Sequence, residues 1–113
     1  MTNSQLLNDS IQSLGITKRY KGCKQLYLCV EHALADETRL LYITKSIYIP
    51  VAKECSCDYR SIERNIRMVA SKAWKINSDK LSEMAGYKLS TSPSVSELIT
   101  ILFTYVARNS TDA

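Results

Sequence analysis

The chain has 113 residues, 45% hydrophobic and 23% charged, with a formal net charge of +4. That length supports one modest core in one domain (residues 1–113), and that balance excludes a disordered tail. No apolar run approaches the roughly 18–20 residues of a membrane span, and "MTNSQLLNDSIQS" lacks the basic-then-apolar pattern of a secretory signal, so a cytoplasmic protein is expected.

Apolar residues recur at three- and four-residue steps, and no alternating strand pattern survives, so the fold class is all-α. A first helix is expected over Ser4–Leu14, with Leu7, Ile11 and Leu14 inward and Gly15 as its stop. Gly22 opens a second, about Cys23–Ala35, burying Leu26, Val30, Ala33 and Leu34. Asp36 caps a third through about Lys45, carrying Leu40, Leu41 and Ile43. Pro50 belongs in a first helical turn, which predicts a break near Ser46–Tyr48 and a short fourth helix ending about Cys55. Asp58 then caps a long helix from Tyr59 to about Ile76, and the short helix, tight turn and longer helix together outline a helix-turn-helix. "NSDKLSEMAGY" reads as one more short helix stopped at Gly86, and "KLSTSPS" as a loop. A capping box, Ser94-Val95-Ser96-Glu97, launches a last helix to about Arg108, with Leu98, Ile101, Leu102 and Tyr105 inward. The sum is a compact bundle of about six helices, with a frayed "NSTDA" tail.

The positive charge is unevenly placed. Residues 1–59 hold seven basic and six acidic groups, and residues 76–113 hold three and four. The stretch between them holds Arg60, Arg64, Arg67, Lys72 and Lys75 against Glu63 alone. The excess therefore resides in the long helix, as expected of a footprint for a polyanion. At about 100° per residue, Arg60, Glu63, Arg64, Arg67 and Ser71 share roughly a third of the circumference, while Ile62, Ile66, Val69 and Ala73 lie opposite. In a DNA major groove an arginine donates twice to guanine and a glutamate accepts from cytosine. Residues early in such a helix reach bases and later ones phosphate, which assigns Arg60, Ser61, Glu63 and Arg64 to reading and Arg67 to positioning. Lys45, Lys53 and Lys72 are further phosphate contacts on this reading. The same row also fits a solvated face laced by an i,i+4 pair, Glu63–Arg67, or a protein-binding face. A second basic cluster, Lys18, Arg19, Lys21 and Lys24, fits either a solvated loop or a phosphate contact.

Other chemistry is poorly supported. Cys55-Ser-Cys57 lacks the second ligand pair of a zinc site, no C-x-x-C occurs, and the four cysteines (Cys23, Cys29, Cys55, Cys57) are expected as reduced thiols. His32 has no carboxylate partner that the sequence can place, and the three glycines are isolated, so neither a catalytic triad nor a phosphate loop can be drawn. No enzyme, cofactor, metal site, membrane or small-molecule substrate is expected.

The motifs "LGI", "KG", "LLYITKSIY", "VAK", "SIERNIRMVASKAW", "GY" and "PSVSELI" occur in the order and spacing of a known family. Over about residues 4–108 the chain resembles the C-terminal effector domain of the stage-zero sporulation response regulator. The resemblance implies a six-helix bundle with a helix-turn-helix, and sequence-specific transcription control at the start of spore formation. Glu63, Arg64 and Arg67 match positions that the family's recognition helix places on DNA. Three departures stand out: Ser61 occupies the place of a base-reading arginine, the proline is displaced by one position to Pro50, and Ser94-Val95 replaces a threonine-asparagine pair. The family's phospho-receiver domain has no counterpart in this sequence, so the chain is expected to be a stand-alone relative or a fragment, and no phosphoacceptor can be named. The partner expected is double-stranded DNA, bound as tandem or two-fold-related copies. The competing expectation is a receiver-less interaction module that dimerises with, or competes against, a full-length regulator and binds DNA weakly.

Overall fold

A computed structural model describes residues 2–110. It is all-α among those residues. Helix α1 (Asn3–Ser13) begins one residue before its expected start, because Thr2 and Gln5 form a reciprocal capping box that periodicity alone does not reveal. Its Leu7 and Ile11, and Leu14 beyond it, are fully buried. Helix α2 (Lys21–Ala35) buries Leu26, Val30 and Ala33 as expected, with Leu34 half-buried. Gly22 lies inside α2 instead of opening it: a Cβ there would come within 2.5 Å of the Asn65 carbonyl oxygen, so this glycine sets how closely two helices approach.

The segment after α2 departs most from expectation. Asp36 does cap it, accepting from the Thr38 N–H at 3.1 Å and its hydroxyl at 2.6 Å. The hydrogen bonds also hold the Asp36 carboxyl below its ordinary pKa. Beyond the cap the chain forms a 3-10 helix, Glu37–Tyr42, and then a π turn, Thr44–Tyr48, running directly into α3 (Ile49–Glu54). No break separates them at Ser46–Tyr48. Pro50 explains the widening, since its ring would press on the carbonyl four residues back in a regular helix. The Ile49 N–H instead reaches the Thr44 carbonyl, five residues back, and delivers Pro50 into the first turn of α3. The 3-10 geometry also turns Leu41 outward, 75% exposed, where a regular helix was expected to carry it inward; Leu40 and Ile43 pack against the core.

Helix α3 ends in a Schellman arrangement, with Cys57 N–H on the Ala52 carbonyl at 3.0 Å and Ser56 in the left-handed region at φ 55°. Asp58 caps α4 (Tyr59–Ala85), which continues through the two helices expected there. It kinks at Asn77 (φ −139°, ψ 50°), whose side-chain amide donates to the Ser13 carbonyl at 3.3 Å. Counting its two limbs separately gives six α-helices among the described residues. Gly86, left-handed at φ 83°, stops it as expected. The Ser94–Glu97 capping box forms, and α5 (Val95–Asn109) buries Leu98, Ile101 and Leu102, with Tyr105 half-buried. Side chains from α1 to α5 meet in one continuous apolar cluster.

Candidate nucleic-acid interface

The core stripe of α4 fixes its orientation. Ile62, Ile66, Ala70 and Ala73 are fully buried and Val69 is 2% exposed, so the opposite side of the helix must face solvent. Arg60, Arg64 and Arg67 all lie on that open side, and none is tucked against a neighbouring helix. Ser61 and Glu63 are half-buried at its margins. Lys45, Lys53 and Lys72 are exposed, and the Lys72 ammonium sits over the Tyr20 ring, 5.8 Å from its centroid.

Each guanidinium has a local partner. Arg60 lays its Nε and Nη2 on the two Asp58 carboxylate oxygens at 3.1 and 3.0 Å, while its backbone N–H takes the same carboxylate at 2.7 Å. These hydrogen bonds pull the Asp58 carboxyl down to about 2 and push Arg60 up. Arg64 Nη2 donates to Ser61 Oγ at 3.3 Å, and Arg67 pairs with Glu63. All three contacts run along one helix in water, so each is cheap to exchange. Sequence spacing suggested the Glu63–Arg67 pair; the Asp58–Arg60 fork depends on a rotamer that spacing does not specify.

The edges of this face were only partly anticipated. Beyond Glu63 and Arg67 lies a groove of about 600 Å³, closed on its far side by Thr44, Tyr48, the loop at Ser92 and the start of α5 at Ser94 and Ser96. Hydroxyl groups dominate it, and the serine-rich run "STSPSVS" was the available signal. Burial raises the Tyr48 phenol well above its ordinary pKa, so it stays a neutral hydrogen-bonding group. Behind the face, His32 has the carboxylate partner that the sequence could not place. Its Nε2 lies 2.7 Å from Glu54 Oε1 on α3, and Arg39 approaches Nδ1 at 2.5 Å. Arginine can only donate, so Nδ1 accepts and Nε2 carries the proton. The four cysteines are free thiols, and no cluster of three or more metal-binding side chains occurs among the described residues. No helix there is long and apolar enough to cross a membrane.

Helix α3, a four-residue connection and the open-faced α4 have the outline of a DNA-binding helix-turn-helix. The family model for the C-terminal part of sporulation initiation factor Spo0A matches residues 7–106. The chain belongs to that family. The Spo0A C-terminal family is a DNA-binding transcription effector family of sporulation control and is not enzymatic. A search of curated proteins returned no match.

Proposed function

We propose that this Spo0A C-terminal family member is a sequence-specific transcription regulator that seats the first limb of α4 in the major groove of double-stranded DNA. The observation that carries the reading is the open arginine face of a helix whose other side is locked into the core. Arg60, Ser61, Glu63 and Arg64, nearest the start of α4, meet base edges; Arg67 meets phosphate, as do Lys45, Lys53 and Lys72. Tandem or two-fold-related copies would lengthen the site read. Anisotropy titration on duplexes selected from a random pool tests this. Arg64→Ala should cost about 1–3 kcal/mol and relax preference at one base pair, whereas Arg67→Ala should weaken every sequence alike and lower the salt slope by about 1. Binding that ignores salt, or an Arg64→Ala variant as selective as the parent, would refute it.

Ser61 favours a second reading. A serine there, engaged by Arg64, offers one bidentate donor fewer than an arginine would. On that reading the chain is an interaction module that pairs with or competes against a full-length regulator, with weak, sequence-blind DNA binding. Capture of such a regulator, together with no enriched sequence in the random-pool selection, would decide for it.

A further inference from the structure

The cations before and within the first turn of α2 are placed in a way the sequence could not resolve. Lys18, Arg19, Lys21 and Lys24 are all exposed. The ion pairs among the described residues are His32–Glu54, Arg60–Asp58, Arg67–Glu63 and Lys80–Glu83, so none of these four has a carboxylate in salt-bridge reach. Positive charge held close together without neutralisation costs self-repulsion, and the fold keeps it in a defined place. Three contacts do the placing. The missing Cβ of Gly22 lets α2 sit against the Asn65 carbonyl and the Val69 side chain. One turn on, Asn65 Nδ2 donates to Gln25 Oε1 at 3.0 Å. Lys72 covers the Tyr20 ring. Together they pin residues 20–25 beside residues 65–72 of α4.

Around α4, Ser61, Met68 and Lys72 turn toward that flank, about 80–120° from Arg60, while Glu63 turns toward the hydroxyl-lined groove on the other. A major groove about 12 Å wide is filled by a helix about 10–12 Å across. Whatever borders the helix on its two sides must then face the two sugar–phosphate backbones.

We infer that the Lys18, Arg19 and Lys21 cluster at the start of α2 is a phosphate-backbone site that grips one strand of the duplex, while the groove lined by Thr44, Ser92, Ser94 and Ser96 offers neutral hydroxyls to the other. The inference rests on the proposal that α4 enters the major groove. It assigns the cluster no part in choosing sequence, because cations on phosphate read charge and not base identity.

The test uses the full chain carrying Lys18→Gln, Arg19→Gln and Lys21→Gln together, with Arg64→Ala as a separate variant. Affinity is measured against salt on a scrambled 20-base-pair duplex, so no specific site is needed. The slope of log K against log salt should fall by about 2–3, at about 0.9 per phosphate lost. On a duplex enriched from a random pool the affinity should fall by the same factor, and phosphate-ethylation interference should disappear from one strand only. A Lys18→Arg, Lys21→Arg variant, which keeps the charge, should retain the parental slope and separates charge loss from misfolding. A parental slope in the triple-glutamine variant, while Arg64→Ala still weakens binding to the enriched duplex, sinks the clamp and leaves the groove reading standing. Interference lost equally from both strands also overturns it. If Arg64→Ala binds like the parent, the groove reading itself fails and takes the clamp with it.

Discussion

The Asp58 carboxylate caps α4 through the Arg60 N–H and also holds the Arg60 guanidinium. Its folded-state pKa of about 2 lies below the ordinary 3.8, so the carboxylate contributes stability that is fully present above about pH 4 and is lost as pH falls toward 2. A carboxyl-resolved NMR titration should find Asp58 ionised below pH 3, and a midpoint near 3.8 would show that the fork does not form in solution. Two residues earlier, Ser56 holds φ 55° without being glycine. A Cβ in that region is costly, whereas glycine is at ease there, and part of the gain is returned as glycine's larger unfolded-state entropy. Ser56→Gly should therefore raise stability by about 0.5–1 kcal/mol, read as a higher denaturation midpoint at unchanged slope. A lower midpoint would mean that the Ser56 side chain contributes something its conformational strain does not reveal.

Among the elements, the α2–α4 crossing is the most sensitive to a single atom. Gly22→Ala would drive a methyl to 2.5 Å from a backbone oxygen and 3.0 Å from a Val69 carbon, neither of which can swing aside as a flexible side chain could. Overpacking of this kind costs about 1–3 kcal/mol, and thermal unfolding with an unchanged midpoint would show that the helices simply slide apart. Most helix ends were legible because their causes are local. Asp58, Gly86 and the Ser94–Glu97 box each act within about one turn of chain, as did the buried stripes of α1, α4 and α5. The stretch from Glu37 to Tyr48 was not legible. Its apolar residues recur at helical spacing, yet Pro50 and the Asp36 cap together tighten one turn and widen the next, which rotates Leu41 out of the stripe. Periodicity assumes a constant angle per residue, and here the angle changes twice. In the same way, His32 finds Glu54 across 22 residues of chain, a separation at which spacing carries no information.

At the scale of the whole molecule, every helix feeds one apolar cluster, and the sharp irregularity at Asn77 keeps Leu81 and Met84 of the second α4 limb inside it. A shared core of this kind should unfold as one cooperative unit, which bears on the expectation of a single domain. Calorimetric and van't Hoff enthalpies should agree; two resolved transitions would mean that part of the chain folds independently. The open arginine face was legible in outline, because an amphipathic helix with one-signed charge declares both its sides. Its borders were not, since they come from Thr44, Tyr48, residues 92–96, Tyr20 and Gly22, which only the tertiary fold gathers around α4.

The Arg60, Arg64 and Arg67 side chains arrive at any ligand already engaged, by Asp58, Ser61 and Glu63. Docking is thus a trade of acceptors, and each trade carries a small toll. A lone nucleotide or a stray acidic loop can compensate only one such toll at a time and gains little by it. A polymer presenting several acceptors at helical spacing compensates all of them in a single event, so the surface filters its visitors by valency.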